Sequence, residues 1–365
     1  MQSDIDVLVP EPKQSVQEES LIRRITEVRR RLGEKVLILG HHYQRDEVIR
    51  FADKTGDSLG LSKYAAENSA AEYIIFCGVH FMAETADLLT PDSQKVILPD
   101  LRAGCSMADM ANFDQTEECW EVLSDATDET VIPVTYVNST AAIKAFCGRN
   151  GGTVCTSSNA EKVLRWALGQ GDKVLFLPDQ HLGRNVAFKM GIPLDDMVMY
   201  DPKISGGGAT LSEYKSAKII LWQGFCSVHM NFRPQYVKIF RERYPGINII
   251  VHPECTFDVV QQADYCGSTA FIIKTIEEAP YGSKWAIGTE NHLVNRLKNL
   301  NPDKFISPLS MYACQCATMF RIDPEHLLES LEAVSRGEPV NHITVPVEIA
   351  ADAKIALDKM LEITG

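Results

Sequence analysis

The chain has 365 residues, of which 45% are hydrophobic and 23% are charged, which is the composition of a globular protein. A formal net charge of -13 argues against nucleic acid or an anionic membrane as the main partner. No apolar run approaches the roughly 20 residues of a membrane span, and the N-terminus lacks the layout of a secretory signal. We therefore expect a cytoplasmic protein of two or three domains whose cysteines are reduced.

The N-terminal segment is predicted to be a tail followed by a helix. Residues 1–20 mix Pro, Gln, Glu and Ser without periodicity, and we interpret them as loose. Apolar residues then recur at helical spacing between Leu21 and Leu32. Gly33 is predicted to end this helix, since glycine commonly follows a helix C-terminus.

After this helix the chain repeats one theme three times: buried-type strands rich in Ile, Val and Leu, then polar loops and amphipathic helices. Non-alternating apolar strands separated by helices are typical of parallel βαβ units. The strand segments of the three rounds are KVLILGHHY, YIIFCGVH and KVILPD; VIPVTYVN, TVCTSS and KVLFLPD; and AKIILWQGFC, NIIVHPE and KWAIGTE. We predict an α/β fold of three similar three-layer αβα modules with parallel sheets, in a pseudo-threefold arrangement around a central active site.

The boundaries of these modules follow the repeats and the clearest linker. The stretch SGGGAT at residues 205–210 separates the second round from the third. Two helices within residues 309–365 are predicted to pack on the first module, and Asp323 with Pro324 supplies an N-cap and a first-turn proline to one of them. The predicted modules span residues 21–118, 119–208 and 209–308.

Three cysteines in separate segments carry the strongest chemical signal. Cys105 lies in KVILPDLRAGCSMA, Cys226 in AKIILWQGFCSVH and Cys316 in MYACQCATMF. Three thiolates from distant segments can hold an iron–sulfur cluster with one open iron, which is a Lewis acid. His229 lies close enough to Cys226 to leave zinc as a weaker alternative, and Cys314 can be a redox partner or a metal ligand. A plain core position is the better interpretation for Cys77, Cys119, Cys147 and Cys266.

Four helix starts carry Ser or Thr after strand or loop sequence, in GDSLGLSKYAAE, VNSTAAIKAF, CTSSNAEKVLRWAL and CGSTAFIIKTIEEA. Free amides and the helix dipole make such an end an anion site, although plain N-capping explains any single case better. Together they suit a small polyanion such as a dicarboxylate or a phosphate ester. Tyr136 and Asn138, at the end of VIPVTYVN, can bind a carboxylate or can be a core tyrosine and an asparagine turn.

Proton-transfer groups follow several predicted strands. His41 and Tyr43 come directly after the strand KVLILG, and His252 with Glu254 closes the strand NIIV. His229 lies just after Cys226, beyond a third strand. Loops at the carboxyl ends of parallel strands carry function in this architecture, and imidazole and carboxylate transfer protons near neutral pH. We therefore predict that these side chains belong to an active site.

These motifs together resemble the quinolinate synthetase A family. The resemblance runs over about residues 35–321, and the ordered set HHYQ, GDSLGLS, PDLRAGC, TYVNST, CTSSNA, PDQHLGR, WQGFCSVH, HPEC, GST and GTENHL is highly specific. It implies a 4Fe–4S cluster held by one cysteine per module, Cys105, Cys226 and Cys316, with the fourth iron free for substrate. The third ligand is less settled, because Cys314 lies only two residues earlier. The family often has lysine directly after the methionine that follows its third cysteine, whereas this chain reads Met319-Phe320-Arg321.

The resemblance also implies a reaction and its participants. Iminoaspartate and dihydroxyacetone phosphate condense to quinolinate with loss of phosphate and two waters, in de novo NAD biosynthesis. An L-aspartate oxidase is implied as the supplier of iminoaspartate. Two alternatives remain: another hydro-lyase that uses an open iron, and a non-catalytic iron–sulfur sensor. A sensor normally carries an output module such as a basic DNA-reading helix, which is not seen in this sequence.

Roles for individual residues follow from that reaction. Glu254 and Tyr43 are the candidates for proton transfer, with His41 and His229 as hydrogen-bond donors that can also shuttle protons. The residues expected to bind the substrate, mainly through its carboxylates, are Ser58, Tyr136, Asn138, Ser157, His252 and Thr269, together with His41 and Glu254.

Overall fold

A computed structural model of the protein describes residues 16–312 and 314–365. The strands in chain order are β1 (Val36–His41), β2 (Lys54–Gly56), β3 (Tyr73–Cys77), β4 (Lys95–Ile97), β5 (Val131–Tyr136), β6 (Thr153–Cys155), β7 (Lys173–Leu177), β8 (Met197–Tyr200), β9 (Ile219–Trp222), β10 (Asn248–Val251), β11 (Tyr265–Cys266), β12 (Lys284–Gly288), β13 (Phe305–Pro308) and β14 (His342–Ile343). The helices are α1 (Val16–Leu32), α2 (Asp46–Ile49), α3 (Ser58–Glu67), α4 (His80–Leu89), α5 (Phe113–Ala126), α6 (Ala141–Arg149), α7 (Ala160–Gln170), α8 (Gln180–Lys189), α9 (Leu211–Ser216), α10 (Pro234–Arg243), α11 (Phe257–Val260), α12 (Thr269–Glu277), α13 (Asn291–Leu300), α14 (Pro324–Ser335) and α15 (Val347–Thr364).

The strands form three sheets, and almost every neighbouring pair is parallel. Their orders are β14-β4-β3-β1-β2, β6-β5-β7-β9-β8 and β11-β10-β12-β13, and only β14 with β4 is antiparallel among the described pairs. The central strands are buried along their whole length because their apolar runs are covered on both faces. The predicted α/β fold of parallel sheets is confirmed, and the three sheets are consistent with three αβα modules.

The second sheet differs from the predicted module boundary. The strand β9 was predicted to open the third module, but it pairs with β7 and β8 in the second sheet. The SGGGAT stretch is a turn between β8 and α9, with Gly206 and Gly207 at positive φ, and does not separate modules. The boundary at residue 209 was therefore wrong, because a glycine-rich turn marks a change of direction and does not show which sheet the next strand joins.

The two ends of the chain also correct the sequence analysis. The helix α1 begins at Val16, so the last five residues of the predicted tail are helical, and acidic Glu18 and Glu19 suit the positive end of its dipole. Residues 1–15 of that tail lie outside the described part. Gly33 ends the helix as predicted, at φ +55°. In the third sheet, Cys266 lies exposed on the edge strand β11, contrary to the predicted core position.

The two C-terminal helices pack on different modules. Helix α14 packs against α1 and places Leu327 and Leu331 in the core beside the first sheet. Helix α15 instead packs against α6 and buries Ala353, Leu357 and Met360 in the core of the second module. The prediction that both helices cover the first module was thus wrong for α15. Among the described helices, none is both long enough and apolar enough to cross a membrane.

Close contact between α6 and α15 leads to a stability prediction. A Cβ atom added at Gly148 would lie 2.0 Å from the carbonyl oxygen of Asp352. Gly148→Ala is therefore expected to push α15 away from α6 and to lower the free energy of unfolding by roughly 1–3 kcal/mol, as other overpacked sites do. Urea unfolding measures the loss. Gly169→Ala in α7 is the matched control, since nothing lies within 4 Å of its added Cβ. Equal midpoints for the two variants would contradict the prediction.

Candidate active site

A single cavity gathers every site residue predicted from the sequence. These residues arrive from all three sheets, because the carboxyl ends of parallel strands meet the cavity. The predicted residues that line it are His41, Tyr43, Ser58, Cys105, Tyr136, Asn138, Ser157, Cys226, His229, His252, Glu254, Thr269 and Cys316. Their location together is a finding, whereas their chemical roles remain predictions.

Two histidines at strand ends are held in the same way. The backbone N–H of Tyr43 donates to His41 Nδ1 at 3.1 Å, and that of Glu254 donates to His252 Nδ1 at 3.4 Å. A nitrogen that accepts a hydrogen bond carries no proton, so each ring is neutral and its Nε2–H is the donor. Burial, the largest cause, also lowers the pKa of both rings to about 3. His41 and His252 are therefore neutral hydrogen-bond donors near neutral pH.

Glu254 is a buried carboxylate with close polar neighbours. The hydroxyl of Tyr136 donates a hydrogen bond to Glu254 Oε1 at 2.8 Å, and His229 Nδ1 lies 2.8 Å from Glu254 Oε2. Burial alone would raise the pKa of Glu254, but the attraction of His229 and the hydrogen bond from Tyr136 hold it well below its ordinary value. The imidazole of His252 stacks on that of His229, with ring centroids 4.7 Å apart. Glu254 is thus ionised and placed to accept a proton.

The hydroxyl of Tyr43 is within hydrogen-bond distance of two threonine side chains. Its hydroxyl is 3.0 Å from Thr269 Oγ1 and 2.9 Å from Thr289 Oγ1. Burial, followed by repulsion from Glu254, raises the pKa of Tyr43 well above its ordinary value, so the phenol keeps its proton. Thr289 was not among the site residues predicted from the sequence. The available signal was its position directly after β12, in the GTENHL motif.

Helix starts reach the cavity as the sequence analysis expected. Ser58 and Thr269 are the first residues of α3 and α12, whose N-caps Asp57 and Ser268 accept from backbone N–H groups. Asn138 and Ser157 each lie three residues before a helix, α6 and α7 respectively, whose N-cap residues make no side-chain capping hydrogen bond. The described lining residues include no lysine or arginine. An anionic ligand would therefore be held by amides, hydroxyls and neutral imidazoles at these helix starts.

The three candidate cysteines begin three copies of one local structure. At the third residue after each cysteine a 3₁₀ turn starts, and the fourth residue's backbone N–H donates to the cysteine's carbonyl oxygen at 3.0, 3.1 and 2.9 Å. A longer helix then starts at the same distance from each cysteine, at Phe113, Pro234 and Pro324. The turns are Ala108–Met110 after Cys105, His229–Asn231 after Cys226 and Met319–Arg321 after Cys316.

The sulfur atoms of these cysteines influence one another. Burial raises the pKa of Cys105 to about 12, and repulsion from Cys316 adds to it. Burial also raises the pKa of Cys226 well above its ordinary value, with further repulsion from Glu254, Cys105 and Cys316. A cationic metal group between the sulfurs would reverse this repulsion, because metal binding stabilises thiolates. Backbone N–H groups of Ala108 and His229 also point to these sulfurs, as is common around iron–sulfur clusters.

Cys314 lies in a different environment. It is buried in the core of the third module, and its sulfur is 3.6 Å from the carbonyl oxygen of Tyr312. Cys314 does not line the cavity and has no following 3₁₀ turn of the repeated kind. A second arrangement of donor atoms does include Cys226, since Cys226, His229 and Glu254 place one donor atom each within 4.8 Å of one another. That set keeps the zinc alternative open on geometry.

Arg321 is the basic residue one position after Phe320, where the sequence departs from the family. Its Nε donates to Asp100 Oδ2 at 3.2 Å, and Asp100 also accepts from Arg102. Burial raises the pKa of Asp100, but these hydrogen bonds outweigh it and lower the pKa to about 2. Arg321 therefore ties the segment after Cys316 to the segment that leads to Cys105.

Comparison with known proteins agrees with this site. The family described as "NadA: Quinolinate synthetase A protein" matches residues 23–362. A quinolinate synthase of Geobacillus sp. (strain WCH70) is 57% identical over 356 residues, which cover 97% of this chain and 96% of that relative. One of Herpetosiphon aurantiacus is 58% identical over 352 residues, 95% of this chain and 93% of the relative. One of Bacillus anthracis is 53% identical over 358 residues, 98% and 97% respectively. The chain therefore belongs to the quinolinate synthetase A family.

Proposed function

We propose that the chain is a quinolinate synthase of NAD biosynthesis, which condenses iminoaspartate with dihydroxyacetone phosphate to quinolinate, phosphate and two waters. The observation that carries this function is the near full-length similarity to curated quinolinate synthases. The cavity supports it, since every residue carried over from the family motifs lines one space. We place the enzyme in the cytoplasm, because reduced thiols are needed for metal binding and the described cysteines are all free.

Cys105, Cys226 and Cys316 are proposed to hold a 4Fe–4S cluster. They fit the group because each opens the same turn, all three line the cavity, and the first two sulfurs receive backbone N–H groups. When bound, such a cluster, lacking a fourth cysteine, supplies a Lewis acid for an oxygen that leaves the substrate. The repeated turn favours Cys316 over Cys314 as the third ligand.

Removal and donation of protons are assigned to different side chains of the cavity. One water is lost when the substrate nitrogen joins a carbonyl carbon, and the other when a proton leaves one carbon and hydroxide leaves its neighbour. Ionised Glu254 is proposed to take the proton, with Tyr136 and His229 stabilising its charge. Protonated Tyr43 is proposed to donate to a leaving oxygen, since its raised pKa keeps it a phenol. The neutral ring of His41 is proposed to donate a hydrogen bond to the substrate through Nε2–H, and it adds no positive charge to the cavity.

Substrate binding is assigned to the helix starts. Ser58, Asn138, Ser157 and Thr269 present hydroxyl or amide groups to the cavity near helix N-termini, where the helix dipole favours an anion. Tyr136 and His252 complete the carboxylate contacts proposed for the substrate. The substrates are small anions, which the lining can hold without lysine or arginine. Iminoaspartate hydrolyses readily as an imine, so an L-aspartate oxidase that makes it nearby is the proposed supplier.

The first experiment is anaerobic purification, iron and sulfide analysis, and turnover with dihydroxyacetone phosphate and freshly made iminoaspartate. About four irons per chain together with quinolinate formation is the expected result. A cluster without quinolinate would favour another hydro-lyase or a sensor. One zinc per chain and no sulfide would favour the set of Cys226, His229 and Glu254.

Cys314→Ser is expected to keep the cluster and most of the turnover, because Cys314 lies in the core of the third module and away from the cavity. Cys316→Ser is the matched comparison and is expected to lose both. Iron content and the visible absorption spectrum distinguish the two variants. A Cys314→Ser protein that lost its cluster while Cys316→Ser kept it would move the third ligand to Cys314.

A further inference from the structure

Three helices in equivalent positions each place one polar side chain on a loop of a neighbouring sheet. The helices are α4 after β3, α8 after β7 and α13 after β12, and each has ten residues. In every case the preceding strand pairs with the first strand of its own sheet. The side chains, Glu84, Asn185 and Arg296, each contact the segment that follows the first strand of another sheet.

Asn185 holds the loop that carries Glu254. Its Nδ2 donates to the carbonyl oxygens of Pro253 and Cys255, both at 2.9 Å, and these two residues flank Glu254. Both protons of one amide nitrogen are thereby used, and the reversed amide would place its oxygen against two carbonyl oxygens, so the orientation is fixed. Asn185 is buried in α8, beside the second sheet, whereas the loop follows β10 of the third sheet.

Arg296 makes the same kind of contact around Tyr43. Its Nη1 donates to the carbonyl oxygen of His42 at 2.9 Å, and its Nη2 donates to that of Gln44 at 2.7 Å. Its Nε donates to Asp46 Oδ1 at 2.7 Å. The planar guanidinium presents these donors in a fixed geometry, so it holds the backbone on both sides of Tyr43. Helix α13 follows a strand of the third sheet, whereas this loop follows β1 of the first.

Glu84 connects the first sheet to the second. Its Oε2 accepts the backbone N–H of Ala141, the first residue of α6, at 3.0 Å. Thr140, the N-cap residue of α6, makes no side-chain capping hydrogen bond, so a carboxylate from another sheet caps this helix. The capped end directly follows the loop that carries Asn138. The three contacts therefore run from the first sheet to the second, from the second to the third, and from the third to the first.

We propose that these three side chains are positioning residues, each of which fixes the active-site loop of the next sheet. Every loop leaves a strand of one sheet but is held by a side chain from another, so the contacts between sheets set the distances between the loops. Groups on different loops must reach one bound substrate, and a misplacement of about 1 Å can lower a rate roughly 100-fold. The inference deepens the proposed function and, for its effect on turnover, rests on it.

The first test removes two of these contacts one at a time. Asn185→Ala and Arg296→Met are each expected to lower kcat roughly 10- to 100-fold, with a smaller change in KM and with wild-type iron content. Asn295→Ala is the matched control, because Asn295 is an exposed asparagine in α13 next to Arg296. It is expected to turn over at the wild-type rate.

Crossed backgrounds distinguish positioning from a general loss of stability. Asn185→Ala is expected to lose its effect in a Glu254→Gln background and to keep it in a Tyr43→Phe background, because it acts through the residue that it holds. Arg296→Met is expected to show the reverse. A variant that lowered the rate equally in both backgrounds would overturn the proposal.

Hydrogen exchange of the full-length protein gives a readout that does not depend on turnover. Asn185→Ala is expected to speed amide exchange in residues 252–256 roughly fivefold, the effect of about one lost hydrogen bond, and to leave residues 42–46 unchanged. Arg296→Met is expected to do the opposite, and it decides the matter if Asn185→Ala does not fold. Unchanged exchange in the held loop, or equal acceleration in both loops, would overturn the proposal. Wild-type protein that makes no quinolinate would overturn the proposed function, while exchange would still decide the role of these contacts.

Discussion

Cys226→Ala is expected to abolish both the iron–sulfur group and turnover. Cys226 lies in the cavity, and its sulfur is close enough to Cys105 and Cys316 to be influenced by both. Three-thiolate sites have no spare ligand, so removal of one sulfur leaves only two protein attachments for the cluster. Iron and sulfide analysis after anaerobic purification measures the loss, alongside the rate of quinolinate formation.

Cys266→Ala is the control for that experiment, because Cys266 is an exposed cysteine on the edge strand β11. It is expected to keep the wild-type iron content and rate. A Cys226→Ala protein with a full 4Fe–4S spectrum and normal turnover would show that the ligand assignment is wrong.

Glu254→Gln is expected to keep the cluster and to lower kcat by roughly 10²–10⁴-fold, the usual contribution of a general acid–base group. The amide keeps the size of the side chain but cannot take a proton. In the wild type the pKa of Glu254 is held below its ordinary value, so the carboxylate remains ionised until the pH falls well into the acid range. The rate of quinolinate formation is therefore expected to fall on the acid side only when the pH approaches the lowered pKa of Glu254.

Tyr136→Phe supplies a graded comparison for Glu254. It removes the 2.8 Å hydrogen bond to Glu254 Oε1 but leaves the carboxylate, so the expected loss of kcat is smaller than for Glu254→Gln. Iron content shows whether a slow Glu254→Gln enzyme has lost proton transfer or has lost its metal. Loss of metal would indicate that Glu254 is a ligand in the set with Cys226 and His229. Near-normal turnover of the Glu254→Gln enzyme would instead show that Glu254 does not transfer the proton.

The strands and the location of the site were predictable because both depend on local sequence. Runs such as KVLILG are apolar without alternation, which indicates burial on both faces, and they are the central parallel strands. Polar residues directly after such strands, including His41 and His252, must lie at the carboxyl edge of a sheet. Every predicted site residue accordingly lines the same cavity.

The errors arose where long-range contacts decide the structure. The sequence of β9 is that of a buried strand, but its pairing with β7 and β8 depends on residues that are distant along the chain. The apolar face of α15 was recognised, yet periodicity does not show which surface covers it. The close approach of α6 at Gly148 determines that surface.

Thr289 was missed for a related reason. A threonine after a strand is common, and nothing in the sequence shows that its hydroxyl lies between Tyr43 and His229 from two other sheets. Chemistry that is distributed over several modules becomes visible only when the modules are placed together.

The repeated cysteine turns have a consequence for the folding of the chain. The turns lie in segments far apart in sequence, with whole sheets between them, and they come together only in the native state. A group bound to all three acts as a cross-link that the unfolded chain cannot bind, so it stabilises the folded form by mass action. Because unfolded chains are continuously removed in cells, iron supply would set the abundance of the protein as well as its activity.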